Sequence, residues 1–143
     1  MINQIRIGRL LIAGLVAGLI LNVGEAALHA GILGDATTAA YTALNRTIVP
    51  NPLNLASLIG VTFVQGIVMT WLYAMIRPRL GSRFAAAACA GLAAWLFSSL
   101  YSAVYLHSGL SGLFPLDIVW VPVAWELIEY PLAALAAAAI YGD

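Results

Sequence analysis

Three glutamates, Glu25, Glu126 and Glu129, stand in stretches of chain that are otherwise apolar, and they are half of the protein's six acidic residues. Inserting an ionisable group into a membrane span costs roughly 2.5–3.5 kcal/mol, and such groups rarely face lipid. Helical spacing puts Asn22, Glu25 and His29 within about 60° of one another on one helix, and Glu126 and Glu129 on one face of another. Two carboxylates brought together in low dielectric cannot both ionise cheaply, so the chemistry expected of them is to share a proton or to bind a cation or a small cationic ligand. Asn22 and Gln65 are expected to orient that site. Pro122 and Pro131 bracket the two late glutamates, and each deprives a carbonyl one turn earlier, at Ile118 and Leu127, of its helical donor.

A second chemistry is suggested by the two histidines. Helical bundles recruit Glu and His ligands from facing helices, so His29 and His107 are candidate ligands for a metal or for a haem held between two imidazoles. The soluble di-iron pattern is Glu-x-x-His, whereas Glu25 and His29 are four apart, so the match is poor. No cofactor is therefore assigned. Catalysis is disfavoured: Ser98 and Ser99 have no deep histidine beside them and read as packing residues. Asn, Gln and Ser in such places also serve simply as interhelical hydrogen bonds.

The elements that hold these residues follow from composition. The chain has 143 residues, 63% hydrophobic and 8% charged, against about a quarter charged in soluble domains. Its expected solvent is the bilayer. About 20 apolar residues cross a hydrocarbon core of about 30 Å, and four segments qualify, at about 8–32, 53–76, 84–107 and 116–141. The fold class is thus an all-α membrane protein, a four-transmembrane-helix bundle in a single domain. Pro50, Asn51 and Pro52 break the chain before the second span, Arg77 to Gly81 before the third, and Gly109, Gly112 and Pro115 before the fourth. Asn54 and Asp117 are placed to cap helices, and residues 34–52 read as a long loop. Arg6 and Arg9 ahead of an apolar stretch imitate a signal peptide, but the stretch is long enough to be the first span.

All six basic residues are arginines. Arg6, Arg9, Arg77, Arg79 and Arg83 fall on one side of the four spans and Arg46 on the other, so the termini are expected in the cytoplasm, most simply of a bacterial inner membrane. On that orientation Asn22, Gln65 and Glu129 lie about 16–18 Å below the outer surface. Thr62, Glu25, Glu126, Ser98, Ser99 and Ser102 lie a little shallower, and the inner halves offer only Thr70 and Tyr73. Zero formal net charge points away from nucleic acid. Cys89 reads as a small packing residue. Alanine-dense runs at 84–94 and 132–140 suit close helix contact within the chain, in a homo-oligomer or in a larger membrane complex where the chain is a structural accessory subunit.

The two halves of the chain also resemble each other. Ala13-Gly14-Leu15 matches Ala90-Gly91-Leu92, and Leu28-His29-Ala30-Gly31 matches Leu106-His107-Ser108-Gly109 one residue out of that register. Pro52-Leu53-Asn54 matches Pro115-Leu116-Asp117. Two hairpins related by a pseudo-twofold axis along the membrane normal are the expected arrangement.

Overall fold

The computed structural model describes residues 5–110 and 112–142. They form five helices and, among the described residues, no strand. Four are long and apolar enough to cross a bilayer: α1 (Ile7–Ile32), α3 (Pro52–Leu80), α4 (Arg83–Gly109) and α5 (Leu116–Tyr141). The stretch read as a long loop contains a further helix, α2 (Gly34–Ala43). Its ten residues, Ala- and Thr-rich, are too short to announce themselves by hydropathy. Thr38 and Thr42 fold their hydroxyls back onto the carbonyls of Gly34 and Thr38.

The start of α3 corrects one expectation. The cap is Asn51, whose Oδ1 accepts from the amides of Leu53 (3.0 Å) and Asn54, with Pro52 as the first helical residue, where its missing N–H costs nothing. Asn54 is already inside the helix. Asp117 likewise lies in the first turn of α5 rather than at its cap, which is Pro115. There its charge favours the helix N-terminus. The second span runs to Leu80, carrying Pro78 inside it, and stops at Gly81, whose φ of 66° suits glycine. Ser82 then caps α4.

The spans alternate in direction, so the start of α1 meets the end of α5. Arg6 donates to the Tyr141 carbonyl at 3.2 Å, and Arg9 does so at 3.5 Å, placing two cations on helix-terminal carbonyls. The Arg6 guanidinium also lies 5.4 Å from the Tyr141 ring centre. The α3–α4 turn, with Arg77, Arg79 and Arg83, is at this same end, here called proximal.

α3 and α5 touch across the middle of the bundle, and each of α1 and α4 packs against both. That pattern is unchanged when the α1–α3 hairpin is exchanged for the α4–α5 hairpin, as a pseudo-twofold axis requires. The matched glycines do matching work. A Cβ on Gly14 would stand 2.6 Å from the Ile67 Cα on α3, and one on Gly91 would stand 2.6 Å from the Pro131 Cα on α5. Gly66 faces the backbone of Gly14 and Gly18 from the other side, so α1 and α3 cross with their main chains in contact. Between α4 and α5 the interface is alanine on alanine: Ala86, Ala87 and Ala90 share a core with Ala133, Ala134, Ala137 and Ala138.

Packing thins toward the distal end. The main apolar core runs from Leu10 to Tyr130 and Tyr141, all in the proximal half and the middle, while a small second core holds Ala103, Val119 and Val123. Residues 51–61, the distal end of α3, are exposed on every side.

Two of the spans change helical pitch on the way. α1 is α-helical over Ile7–Ala26 and π-helical over Ala27–Ile32, with Leu33 N donating to Leu28 O five residues back at 2.9 Å. α4 is π-helical over Leu96–Leu100. A π turn inserts one residue into a helix. The insertion in α4 falls between Leu92 and Leu106, the interval in which the two halves of the sequence slip by one.

Candidate functional site

The buried positions of α5, Val119, Val123, Glu126, Tyr130, Ala133 or Ala134, Ala137 and Tyr141, recur every three or four residues. Glu126 belongs to that stripe, and Glu129 flanks it beside Tyr130, so both carboxylates face the bundle: Glu126 is 9% and Glu129 8% exposed. On α1 the buried stripe Leu10, Ala13, Gly14, Ala17, Gly18, Leu21 and Leu28 brings Gly24 and Glu25 toward the same interior.

Gly24 is the seat for Glu129. A Cβ there would overlap the Glu129 carboxylate, so a carboxylate fits against α1 only because position 24 has no side chain. Glu25, the next residue, is within electrostatic reach of both Glu126 and Glu129. The three glutamates therefore form one cluster between α1 and α5, as the helical stripes suggest. His29 closes its outer edge: Nε2 lies 3.2 Å from Glu25 Oε2, with His29 more than half exposed and Glu25 partly covered. From rim to interior the order is His29, Glu25, then Glu126 and Glu129.

The third span, α4, reaches the cluster through its π turn. A regular helix continuing from Gly91 would turn Ser98 and Ser102 toward the core, but the buried residues are Ser99 and Ala103, each one position later. The inserted residue rotates Ser99 to face Glu126 and leaves Ser102 exposed. Both π segments carry residues of the cluster, His29 in one and Ser99 in the other, and π turns recur at functional sites.

Tyr130 organises the layer beneath, a residue that composition and spacing did not single out. Gln65 Nε2 on α3 donates to its hydroxyl at 2.8 Å, and Ser98 Oγ on α4 lies 3.2 Å away. The same hydroxyl is beside Glu126. Gln65 thus acts on the cluster through Tyr130 and not directly. The signal for Tyr130 in the sequence was position alone, four residues after Glu126. Asn22 is not brought into the cluster. Its amide donates to Gly18 O at 2.8 Å and to Ile59 O on α3 at 3.5 Å, tying α1 to α3. Trp95 anchors α4 by donating to Val123 O at 2.9 Å, one turn before Glu126.

Several buried polar atoms of the cluster have no hydrogen-bond partner: both carboxylate oxygens of Glu129, the Ser99 hydroxyl and the Trp125 indole N–H. Trp125, one turn before Glu129, faces its carboxylate. An orphaned polar group costs about 1–3 kcal/mol, so four together are a large concession by the fold.

The histidines have separate surroundings. His29 pairs with Glu25, while His107 packs edge-on against Trp120 at 5.7 Å between ring centres. Among the described residues no three His, Cys, Asp or Glu side chains form a metal-holding group. Comparison of the chain with protein-family models, curated proteins and solved structures finds no match.

Proposed function

We propose that the protein binds, or moves, a proton or a small cation at the Glu25–Glu126–Glu129 cluster, in the half of the membrane away from its termini. The observation that carries this reading is Glu129: a carboxylate 8% exposed, with neither oxygen hydrogen-bonded, seated on Gly24. A glutamate kept only to hold helices together would use its oxygens to do so. The gradation from exposed His29 through Glu25 to the buried pair supplies an entrance. Below the cluster Tyr130, Gln65 and Ser98 join three spans, and beneath them Tyr73, Met69 and the alanine core are fully buried, so the site opens to one side.

By the excess of positive charge on that side, the arginine-rich proximal end lies in the cytoplasm, and the site opens to the exterior of a bacterial inner membrane. Purified protein in lipid vesicles should take up or release protons, or bind a cation saturably, and Glu129→Gln and Glu25→Gln should abolish that response while leaving the helical content intact. Unchanged behaviour of both variants would remove the site.

A second reading, an accessory subunit of a larger membrane assembly, is favoured by one feature: residues 51–61 of α3 are uncovered on all sides. Its test is the mass of the complex extracted from native membrane.

A further inference from the structure

We infer that the site at Glu129 is built for water and a proton, and that a bare metal ion is not its occupant; this rests on the cluster being a proton or cation site as proposed above. The argument is a matching of donors and acceptors. Glu129 presents two unpartnered acceptor oxygens and the unpartnered Trp125 N–H faces them, while the unpartnered Ser99 O–H, on a residue 7% exposed, stands at Glu126. An indole N–H is a donor only. A metal ion satisfies lone pairs and nothing else, so it would answer Glu129 and leave Trp125 orphaned, with its positive edge toward a cation. An organic ammonium, also donor-only, fails in the same way. Water both accepts and donates, so it can bridge the indole N–H to the Glu129 carboxylate and the Ser99 hydroxyl to that of Glu126.

A proton then has a defined place. It comes from bulk solvent by way of His29 and Glu25 and ends bonded to a carboxylate oxygen of Glu129 or Glu126, with no oxidant or co-reactant involved. The titratable groups around Glu129 are Glu25 and His29 on α1 and Glu126 and Tyr130 on α5. The polar groups that α3 and α4 bring to this layer, Gln65, Ser98 and Ser99, are neutral.

Infrared spectra of the full chain in lipid, taken across pH in H2O and D2O, report protonated carboxyls directly. The expected result is a deuterium-sensitive carboxylic-acid band that persists at neutral pH and is lost in Glu129→Gln or Glu126→Gln. Trp125→Phe keeps an aromatic ring and removes the donor, and should shift that band without unfolding the protein. Sodium, potassium, magnesium and calcium, added one at a time at constant ionic strength, should leave the melting temperature and the band unchanged. Saturable stabilisation by any of these metals, lost in Glu129→Gln, would overturn this inference and leave the wider cation-site reading standing. Absence both of the acid band and of any metal response would overturn the two together. Should either Gln variant fail to fold, the wild-type band and the metal series still decide.

Discussion

Replacing Glu129 by Met separates a glutamate kept for chemistry from one kept for packing. Met has nearly the same length and volume and an unbranched chain, so it fits the Gly24 notch, and it removes two buried oxygens that have no partner. Each orphaned polar group costs about 1–3 kcal/mol, and a charged side chain in a span costs about 2.5–3.5 kcal/mol. No hydrogen bond from another helix is lost in exchange. Glu129→Met should therefore stabilise the fold by about 1–3 kcal/mol while eliminating the proton or cation response, the usual opposition between site and stability. Reversible unfolding in mixed micelles, followed by circular dichroism, measures the first half, and proton uptake in vesicles measures the second. A loss of more than about 1 kcal/mol would refute the reasoning, since it would mean that Glu129 is held by interactions that stabilise the bundle.

Gly66→Ala should destabilise by about 1–3 kcal/mol, because its Cβ meets the backbone of Gly14 and Gly18 and neither can yield; Gly60→Ala, with nothing within 4 Å, should be neutral or gain up to about 1 kcal/mol, and the same unfolding assay compares them. Tyr130→Phe should cost about 1–2 kcal/mol by orphaning Gln65 Nε2, and it should alter the pH response of the cluster as well as the stability, whereas a purely structural tyrosine would move stability alone. Replacing Arg77, Arg79 and Arg83 together should yield a mixed orientation in paired cytoplasmic and exterior reporter fusions, and a wholly unchanged orientation would show that Arg6 and Arg9 suffice.

The spans were legible because twenty-odd apolar residues between Pro, Gly and Arg clusters have one explanation in water-free surroundings. The glutamate cluster was legible for a related reason: an expensive residue repeated at helical spacing must turn inward. The parts that were not legible depend on contacts with no period. Gly24 matters only because Glu129 reaches it, and nothing in the chain around Gly24 distinguishes it from the packing glycines at 14 and 18. Ser99 takes the inner face in place of Ser98, and Ala103 in place of Ser102, because α4 gains a residue in a π turn that a sequence read at 3.6 residues per turn does not reveal. Asn22 shares a face with Glu25, yet its short amide donates to the Gly18 carbonyl of its own helix and reaches that of Ile59 on α3. α2 lacks the length that makes a helix visible by composition.

The two π turns join these details into one arrangement. In the proximal half, glycine and alanine let the helix backbones meet, and the buried polar residues there, Thr70 and Tyr73, are uncharged. A helix continuing regularly from that interface would carry Ser98 and Ser102 toward α5 in place of Ser99 and Ala103. The inserted residue at Leu96–Leu100 rotates the distal part of α4 by about 100°, and the face presented to Glu126 becomes Ser99. The insertion at Ala27–Ile32 begins just beyond Glu25 and contains His29, which lies against that glutamate as its i,i+4 neighbour. The acidic layer is thus confined between two apolar cores, the large one ending at Tyr130 and the small one of Ala103, Val119 and Val123, with Trp95 packed against both. Deleting one residue from the π turn of α4, for instance Phe97, which is 76% exposed, should restore a regular helix in which Ser99 and Ala103 become the seventh and eleventh residues after Gly91 and so keep the inner face. The deletion variant should therefore keep its proximal core, its four spans and the response that depends on Glu126, measured as proton uptake in vesicles. Loss of that response would refute the reasoning, since it would mean that the site depends on something other than the register that places Ser99 against Glu126.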